Sequence, residues 1–232
     1  MARRYVIKQD SAPSAPISGI DYHATLNEEQ YAAVSSAPGA ALVIAGAGSG
    51  KTRTLTYRVA WLLDHGTDPW NILLLTFTNK AAREMTERVR ALIPIDLSRL
   101  WSGTFHSIAN RILRQHADYL GYTPAFTIMD SDDRKSMIKN IVKTLKLDEK
   151  SSRFPKPEVL SSLFSLADNE GAGIQETLEN AYPYLSNHLD AILDVHEQYV
   201  LRKQETNSMD FDDLLLNVVR LFQEQEHLRA LY

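Results

Sequence analysis

The sequence predicts an α/β fold, a parallel sheet with covering helices interrupted by an all-helical segment, and three observations carry that expectation. Ala41-Leu-Val-Ile-Ala45 is a short apolar run that leads through glycines into helix-patterned Gly50–Asp64. Ile72-Leu-Leu-Leu-Thr76 leads in the same way into a second helical pattern, and a strand–helix–strand–helix order calls for parallel strands with helices laid on them. From 108 to 206 the texture changes to helical patterning with a single strand candidate, Phe126-Thr-Ile-Met129.

A chain of 232 residues that is 44% hydrophobic can bury a core, which excludes general disorder. No run of eighteen apolar residues occurs, and Arg3-Arg4 leads into polar, proline-containing sequence instead of a signal-peptide core, so a cytoplasmic protein is expected. The absence of cysteine removes disulfides, thiolate metal sites and a cysteine nucleophile together. Net charge is only −4, yet its distribution is uneven: residues 41–116 carry +5, residues 117–232 carry −8 and residues 1–40 carry −1. A polyanion would therefore meet the first half.

Taken in order, residues 1–24 hold Pro13 and Pro16 among small and polar residues and read as a flexible N-terminal tail. Thr25-x-x-Glu28 and Asn27-x-x-Gln30 both fit a capping box that opens a helix. After the strand at 41–45 and the helix at 50–64, the helix following Ile72–Thr76 should bury Ala81, Met85, Val89 and Leu92. Arg99–Ser102 is a third strand candidate, before a helix starting near Thr104. In the helical stretch Ser131 is the expected cap of a helix bearing Met137, Ile138, Ile141, Val142 and Leu145. Leu189, Ile192, Leu193, His196 and Val200 should line a later one. Phe154–Pro157 and Asp168–Gly173 read as loops, and Asp210-Phe-Asp-Asp-Leu-Leu215 starts a last amphipathic helix with Asp210 as its cap and Phe211 packed.

Ala45-Gly-Ala-Gly-Ser-Gly-Lys-Thr52 carries the phosphate-loop spacing, with Ala45 at the position of the first glycine. Gly46, Gly48 and Gly50 let the backbone curl so that successive N–H groups, including those of Ala47 and Ser49, converge on phosphate oxygens, and the following helix adds the positive end of its dipole. Lys51 would reach the β- and γ-phosphates and the Thr52 hydroxyl would ligate Mg²⁺. Two further segments set hydroxyls and an aromatic residue between a strand end and a helix start, Thr76-Phe-Thr-Asn-Lys-Ala-Ala-Arg-Glu-Met85 and Gly103-Thr-Phe-His-Ser107. Phe77 there could stack on a base or fill the core, and Asn79 and Thr104 could contact a ligand or cap their helices.

Together these blocks resemble the N-terminal part of a superfamily 1 DNA helicase of the UvrD/PcrA/Rep family. Leu26-Asn-Glu-Glu-Gln30 is similar to the family's Q motif, Ala45–Thr52 to motif I, Thr76–Glu84 to motif Ia and Gly103–Ser107 to motif Ib. The resemblance implies a RecA-like subdomain over 25–107 plus 208–232, interrupted by a helical insertion over 108–207. It assigns Gln30 to adenine, Lys51 to the phosphates, Thr52 to Mg²⁺, Arg53 to base or sugar, and Phe77, Asn79, Thr104 and His106 to single-stranded DNA. ATP and Mg²⁺ are the implied cofactors, and single-stranded DNA and its junction with duplex the implied partners. The parent activity would be 3′-to-5′ translocation, with duplex contact resting on Lys139, Lys143 and Lys146. A helicase subunit of a RecB-type helicase-nuclease and a non-catalytic nucleotide-gated DNA-binding module stay open beside it.

The same resemblance places the family's Walker B Asp-Glu on a strand beyond Tyr232, and no apolar strand ending in Asp-Glu occurs within the sequence. Because in-line phosphoryl transfer needs metal, water-orienting base and charge-neutralising arginine together, this stretch alone is expected to bind nucleotide weakly and hydrolyse almost none. It also leaves Ala41–Ala45 without its sheet neighbour, so a loop, a tail or a second copy is expected to cover that edge.

Overall fold

The computed structural model describes residues 18–147 and 154–232, so the proline-bearing start of the chain lies outside the described residues. Helix predominates, with two small parallel sheets, and the chain divides into two compact units, Met1–Phe105 and His106–Tyr232.

Order in the first unit begins ahead of the capping box. Asp64, fully buried, accepts from the Ser18 backbone N–H at 2.7 Å, the Ser18 hydroxyl at 2.6 Å and the Tyr22 hydroxyl at 3.0 Å. Burial first, and then this carboxylate, raise the Tyr22 phenol well above its ordinary range. A short helix α1 (Tyr22–Thr25) is thereby docked, and α2 (Glu28–Ser35) follows with the Asn27/Gln30 capping box formed in both directions. Of the two boxes the spacing allows, Thr25 loses its own because it already closes α1.

Helix α3 (Lys51–Asp64) packs on α4 (Asn79–Leu92), and between them in sequence lies β1 (Leu73–Thr76). Strand β2 (Trp101–Thr104) pairs with β1 in parallel, Leu73 opposite Trp101 and Thr76 opposite Thr104. It starts two residues later than the sequence pattern indicates, because a turn from the Leu100 N–H to the Leu97 carbonyl occupies the residues before it. Val59, Leu63, Ile72, Leu74, Met85, Val89 and Ile93 form the core. The buried stripe of α4 runs through Ala82, Met85 and Val89, with Ala81 and Leu92 only half-buried at its rim.

The expected strand Ala41–Ala45 does not form. Its backbone pairs with no strand, and Leu42 and Ile44 stand 87% and 90% exposed, so nothing among the described residues covers the segment as expected. A central parallel strand is held by ladder bonds on both sides and by helices on both faces, and these five residues have neither. Two aliphatic side chains left in water forgo about 1.5–3 kcal/mol each.

The second unit starts within α5 (Phe105–His116). It continues through β3 (Thr127–Ile128), α6 (Ser131–Thr144), α7 (Pro157–Glu170), α8 (Ile174–Ala181), α9 (Leu189–Glu205), β4 (Ser208–Met209), α10 (Phe211–Glu224) and α11 (Glu226–Arg229). Asp130, not Ser131, caps α6: its carboxylate accepts from the N–H groups of Asp133 and Asp132, which hold it below the usual carboxylate range. Helix α7 extends to Glu170 and ends in left-handed Gly171, leaving a shorter loop than Asp168–Gly173. Ile138, Leu160, Leu163, Phe164, Leu178 and Ile192 fill the core. On α9 the buried face is Ile192, Val195, Tyr199 and Lys203, while Leu193 and Val200 are over a third exposed, because buried ion pairing at Lys203 turns the helix away from the purely apolar stripe.

That pairing is the polar centre of the unit. Asp210 caps α10 and exchanges a capping box with Asp213. Its Oδ2 accepts from the Tyr199 hydroxyl at 2.7 Å and from Lys203 Nζ at 3.3 Å, and Lys203 reaches Asp213 at 2.7 Å. Arg134 donates to Asp212 at 2.6 Å, and the Ser165 hydroxyl to the same carboxylate at 2.7 Å. Burial alone would lift the Asp210 carboxyl; Lys203, Arg134 and the Tyr199 hydroxyl outweigh it and hold the group below the usual range. Asp168, on α7, is pushed up to about 6, first by burial, against the pull of Lys203 and with the help of Asp210, Asp213 and Asp212.

Two outcomes follow. Lys203→Met leaves two buried carboxylates short of a counter-charge and is expected to remove about 3 kcal/mol from the urea-unfolding free energy; a loss under 1 kcal/mol would show the cation to be dispensable. For Asp168 the folded pKa lies above the unfolded value of about 3.9, so the folded state binds more protons and stability declines as pH rises from about 4 to 6. The melting temperature of Asp168→Asn relative to the parent should therefore be near parity at pH 4 and higher above pH 6, and a gap that does not widen with pH refutes this.

Candidate functional site

The glycine-rich loop joins residues 41–46 to α3, and its shape is set by left-handed backbone at Gly48 (φ +77°) and Gly50 (φ +85°). At Gly50 the backbone conformation disfavours a Cβ, and one built there would lie 2.8 Å from Gln30 Nε2, the end of a side chain that would have to shift aside. Gly50 is also the residue from which α3 starts, with no side chain capping the first turn. A fourteen-residue helix thus presents its first N–H groups and dipole end to the loop without a protein side-chain acceptor.

Of the set expected for nucleotide, Gln30 and Ala45–Arg53, the structure places Gln30, Ala45, Ser49 and Lys51 around one cavity at this helix start, while Arg53 is turned to the Thr25 carbonyl. Gln30 accepts from the Asn27 N–H through Oε1 at 3.3 Å and donates from Nε2 to the Ser49 carbonyl at 3.1 Å, so one amide serves both the cap of α2 and the loop. Lys51 Nζ donates to the carbonyls of Gly46 at 2.7 Å and Ala45 at 3.0 Å, and the Ser49 hydroxyl donates to Gly46 at 2.8 Å. Arg53 donates to the Thr25 carbonyl at 2.8 Å and lies over the Tyr57 ring at 5.3 Å. Thr52 is exposed on the first turn. A cavity of about 260 Å³ opens beside Gln30, Ser49, Lys51 and Thr54, with Val43 and Ile44 on its apolar wall.

The donor set fits a polyphosphate: backbone N–H groups at an uncapped helix start, an ammonium within reach and a hydroxyl one residue on. Three-carboxylate or histidine clusters able to hold a metal by themselves do not occur among the described residues, so a divalent cation here would share its coordination between Thr52 and the phosphates. No helix among the described residues is long and apolar enough to cross a membrane.

A second feature of the first unit lies at the edge where β1 and β2 end. Phe77, which could have been core, stands 90% exposed. Asn79 is the first residue of α4, and the capping is done by Thr78, whose hydroxyl accepts from the Ala81 N–H at 3.1 Å. Thr104 ends β2 opposite Thr76, and Phe105 follows it, 44% exposed with its ring 5.8 Å from Phe77. The dipeptide Thr-Phe stands at the end of both strands, 76–77 and 104–105, and that repetition is the signal that would have pointed to Phe105. In the second unit His106 meets Phe211 edge to face at 5.6 Å. Phe211 was expected to pack, yet it is half exposed, because the buried cap at Asp210 sends the next residue outward.

Gly50→Ala in this loop is expected to weaken nucleotide binding at least tenfold, through backbone strain of about 1–2 kcal/mol and displacement of Gln30. Equal affinity of Gly50→Ala and parent, in calorimetry with a non-hydrolysable ATP analogue, would refute the cradle.

Comparison with known proteins gives the family. The family model described as the UvrD/REP helicase N-terminal domain matches residues 26–232. The ATP-dependent DNA helicase PcrA of Staphylococcus aureus (strain Mu50) is 39% identical over 208 residues, covering 89% of this chain and 28% of that protein. PcrA of Staphylococcus epidermidis (strain ATCC 12228) is 40% identical over 199 residues, covering 85% of this chain and 26% of that protein. The chain thus spans little more than a quarter of the length of these relatives. With a family match over residues 26–232, nearly its whole length, the chain belongs to the UvrD/REP helicase family, as its N-terminal domain.

Proposed function

We propose that this chain is the ATP- and single-strand-binding front of a DNA translocase that moves 3′ to 5′ and separates duplex ahead of it. The observation that supports this best is the uncapped start of α3 beside Lys51 and the Gln30-lined cavity, an arrangement suited to an anion at the end of a helix. Gln30 would take the adenine edge, Arg53 the base or sugar, the N–H groups of Ala45–Gly50 and Lys51 the phosphates, and Thr52 the Mg²⁺. Bound Mg²⁺ would supply charge neutralisation at the phosphates, and Lys51 would hold the β- and γ-oxygens in place. Phe77, Asn79, Thr104 and His106 would meet the unpaired strand, supported by the exposure of Phe77 and by the net positive charge of residues 41–116.

On this reading residues 25–107 and 208–232 belong to one RecA-like motor domain whose sheet is completed by further sequence, and 108–207 form the inserted subdomain that approaches the duplex through Lys139, Lys143 and Lys146. The unpaired, exposed segment at 41–45 supports it, since it has the composition of a buried central strand. On the same reading the residues that orient water and neutralise the transition state would lie outside these 232, so this stretch alone would bind ATP without turning it over, in the cytoplasm where its DNA lies.

In the full-length protein, Lys51→Ala is expected to reduce DNA-stimulated ATPase at least a hundredfold, from loss of a charge aimed at the transferring phosphate. An ATPase that single-stranded DNA does not stimulate, or that Lys51→Ala leaves unchanged, would defeat the proposal.

A further inference from the structure

Helix α3 turns one stripe toward the chain that precedes it. Arg53, Tyr57, Trp61 and Asp64 recur at helical spacing, and each meets a residue between Ser18 and Thr25. Asp64 accepts from Ser18, the Tyr22 ring stands edge-on to Trp61 at 4.9 Å and to Tyr57 at 6.2 Å, and the Thr25 carbonyl accepts from Arg53 at 2.8 Å. Residues 18–26 thus form a strap that runs back along the helix from its last turn to its first, about 16 Å by the helical rise. Tyr22, Leu26 and Val34 are buried beneath it, with Tyr57 and Trp61 packed against them. The strap leads directly into the Asn27/Gln30 capping box, and a Cβ built on Gly50 would find Gln30 Nε2 at 2.8 Å and Arg53 Cβ at 3.9 Å, so both side chains flank one glycine.

We infer that this strap, together with Tyr57, is a positioning element for Arg53, which sets how tightly the base-and-sugar end of a nucleotide is held while leaving the phosphates to the glycine-rich loop. The inference rests on the reading of Arg53 as a base or sugar contact. Arg53 is exposed, and an exposed arginine ordinarily samples many rotamers. Here the Thr25 carbonyl fixes one edge of the guanidinium and the Tyr57 ring backs one face, 5.3 Å from ring centre to guanidinium carbon. The Thr25 contact also closes the end of α1, yet it uses a single N–H of the fork. The other donors and the face turned from Tyr57 stay open to a ligand. A side chain already ordered loses little further freedom on binding, so the benefit reaches only ligands that carry a base and sugar. A bare polyphosphate, held by Lys51 and the first N–H groups of α3, gains nothing from it.

The test compares two ligands on the full-length protein by calorimetry with Mg²⁺ present, a non-hydrolysable ATP analogue and inorganic tripolyphosphate. Tyr57→Ala should lose about tenfold in affinity for the analogue and less than about twofold for tripolyphosphate. Tyr57→Phe keeps the ring and should match the parent. Tyr57→Leu keeps apolar bulk without a π-face; it should behave as the alanine variant does, and parent-like behaviour would assign Tyr57 to packing and overturn the inference. Equal losses for both ligands would do the same, since they would show a role in the fold alone. Ser18→Ala combined with Tyr22→Phe removes two hydroxyl donors from Asp64 at the far end of the strap and should weaken the analogue selectively; an unchanged ratio of the two affinities would count against the strap. Arg53→Ala separates the two levels of the argument. If it abolishes the preference for the analogue while Tyr57→Ala and Tyr57→Leu keep it, the positioning element is wrong and the role of Arg53 stands. If Arg53→Ala also keeps the preference, the reading of Arg53 falls with it.

Discussion

Parallel pairing of Leu73–Thr76 with Trp101–Thr104 is the constraint from which the working edge of the first unit follows. A parallel ladder sends both strands out at the same side, so whatever each strand presents at its end is presented together. Here the ends are Thr-Phe in both cases, and each is followed at once by a helix, so hydroxyls, aromatic rings and positive helix ends converge without any of them being close in sequence. An antiparallel pairing of the same residues would have placed Phe77 and Phe105 at opposite ends of the sheet. The small size of the ladder is offset by the cores on its helices, where Val59, Leu63, Met85 and Val89 hold α3 and α4 to one another.

Much of this was readable from residue order. The loop at Gly46–Thr52, the Asn27/Gln30 box, the helix from Lys51 and the strand before Phe77 all rest on local rules, glycine at positive φ, reciprocal caps and apolar runs, and the structure contains each of them. The strand at Ala41–Ala45 is a different kind of expectation. Its composition specifies burial on both faces, but burial is a property of neighbours, and nothing among the described residues supplies them. Phe105 and Phe211 escaped notice for the converse reason: an apolar residue beside a helix start reads as core, and only the register of the strands or the inward turn of Asp210 shows that it faces out. On α9, likewise, period alone favoured the apolar stripe over the one containing Lys203.

The buried ionic centre of the second unit changes what the charge count means. Residues 117–232 contain twenty acidic side chains and twelve basic ones, which on composition alone would repel DNA. Asp168, Asp210, Asp212 and Asp213 are turned inward around Lys203 and Arg134, so part of the acidic excess is internal and its field is compensated within a few ångströms. Such a centre is costly to desolvate and is tolerated because nearly every oxygen has a donor: a tyrosine hydroxyl, a serine hydroxyl, an ammonium, a guanidinium and the first N–H groups of a helix. Its geometric effect is to fix the start of α10 against α7 and α9, which is what aims Phe211 outward.

The glycine-rich loop shows the opposite economy. Lys51, Ser49 and Gln30 all donate to carbonyls of the loop itself, so the cradle is held in shape by the same donors that a polyphosphate would draw on. Each such bond is worth about 0.5–1.5 kcal/mol net, and exchanging one acceptor for another gains only the difference between a carbonyl and a charged oxygen. The groups that offer a gain without a loss are the first N–H groups of α3, which no side chain caps. Any preference for an anion would therefore reside in the helix start, and a ligand that drew Lys51 and Gln30 to itself would release the loop carbonyls and the contact between α2 and the loop. Binding would then be felt at residues 27–30 and 45–49 together, through one glutamine amide shared by a helix cap and a glycine-rich loop.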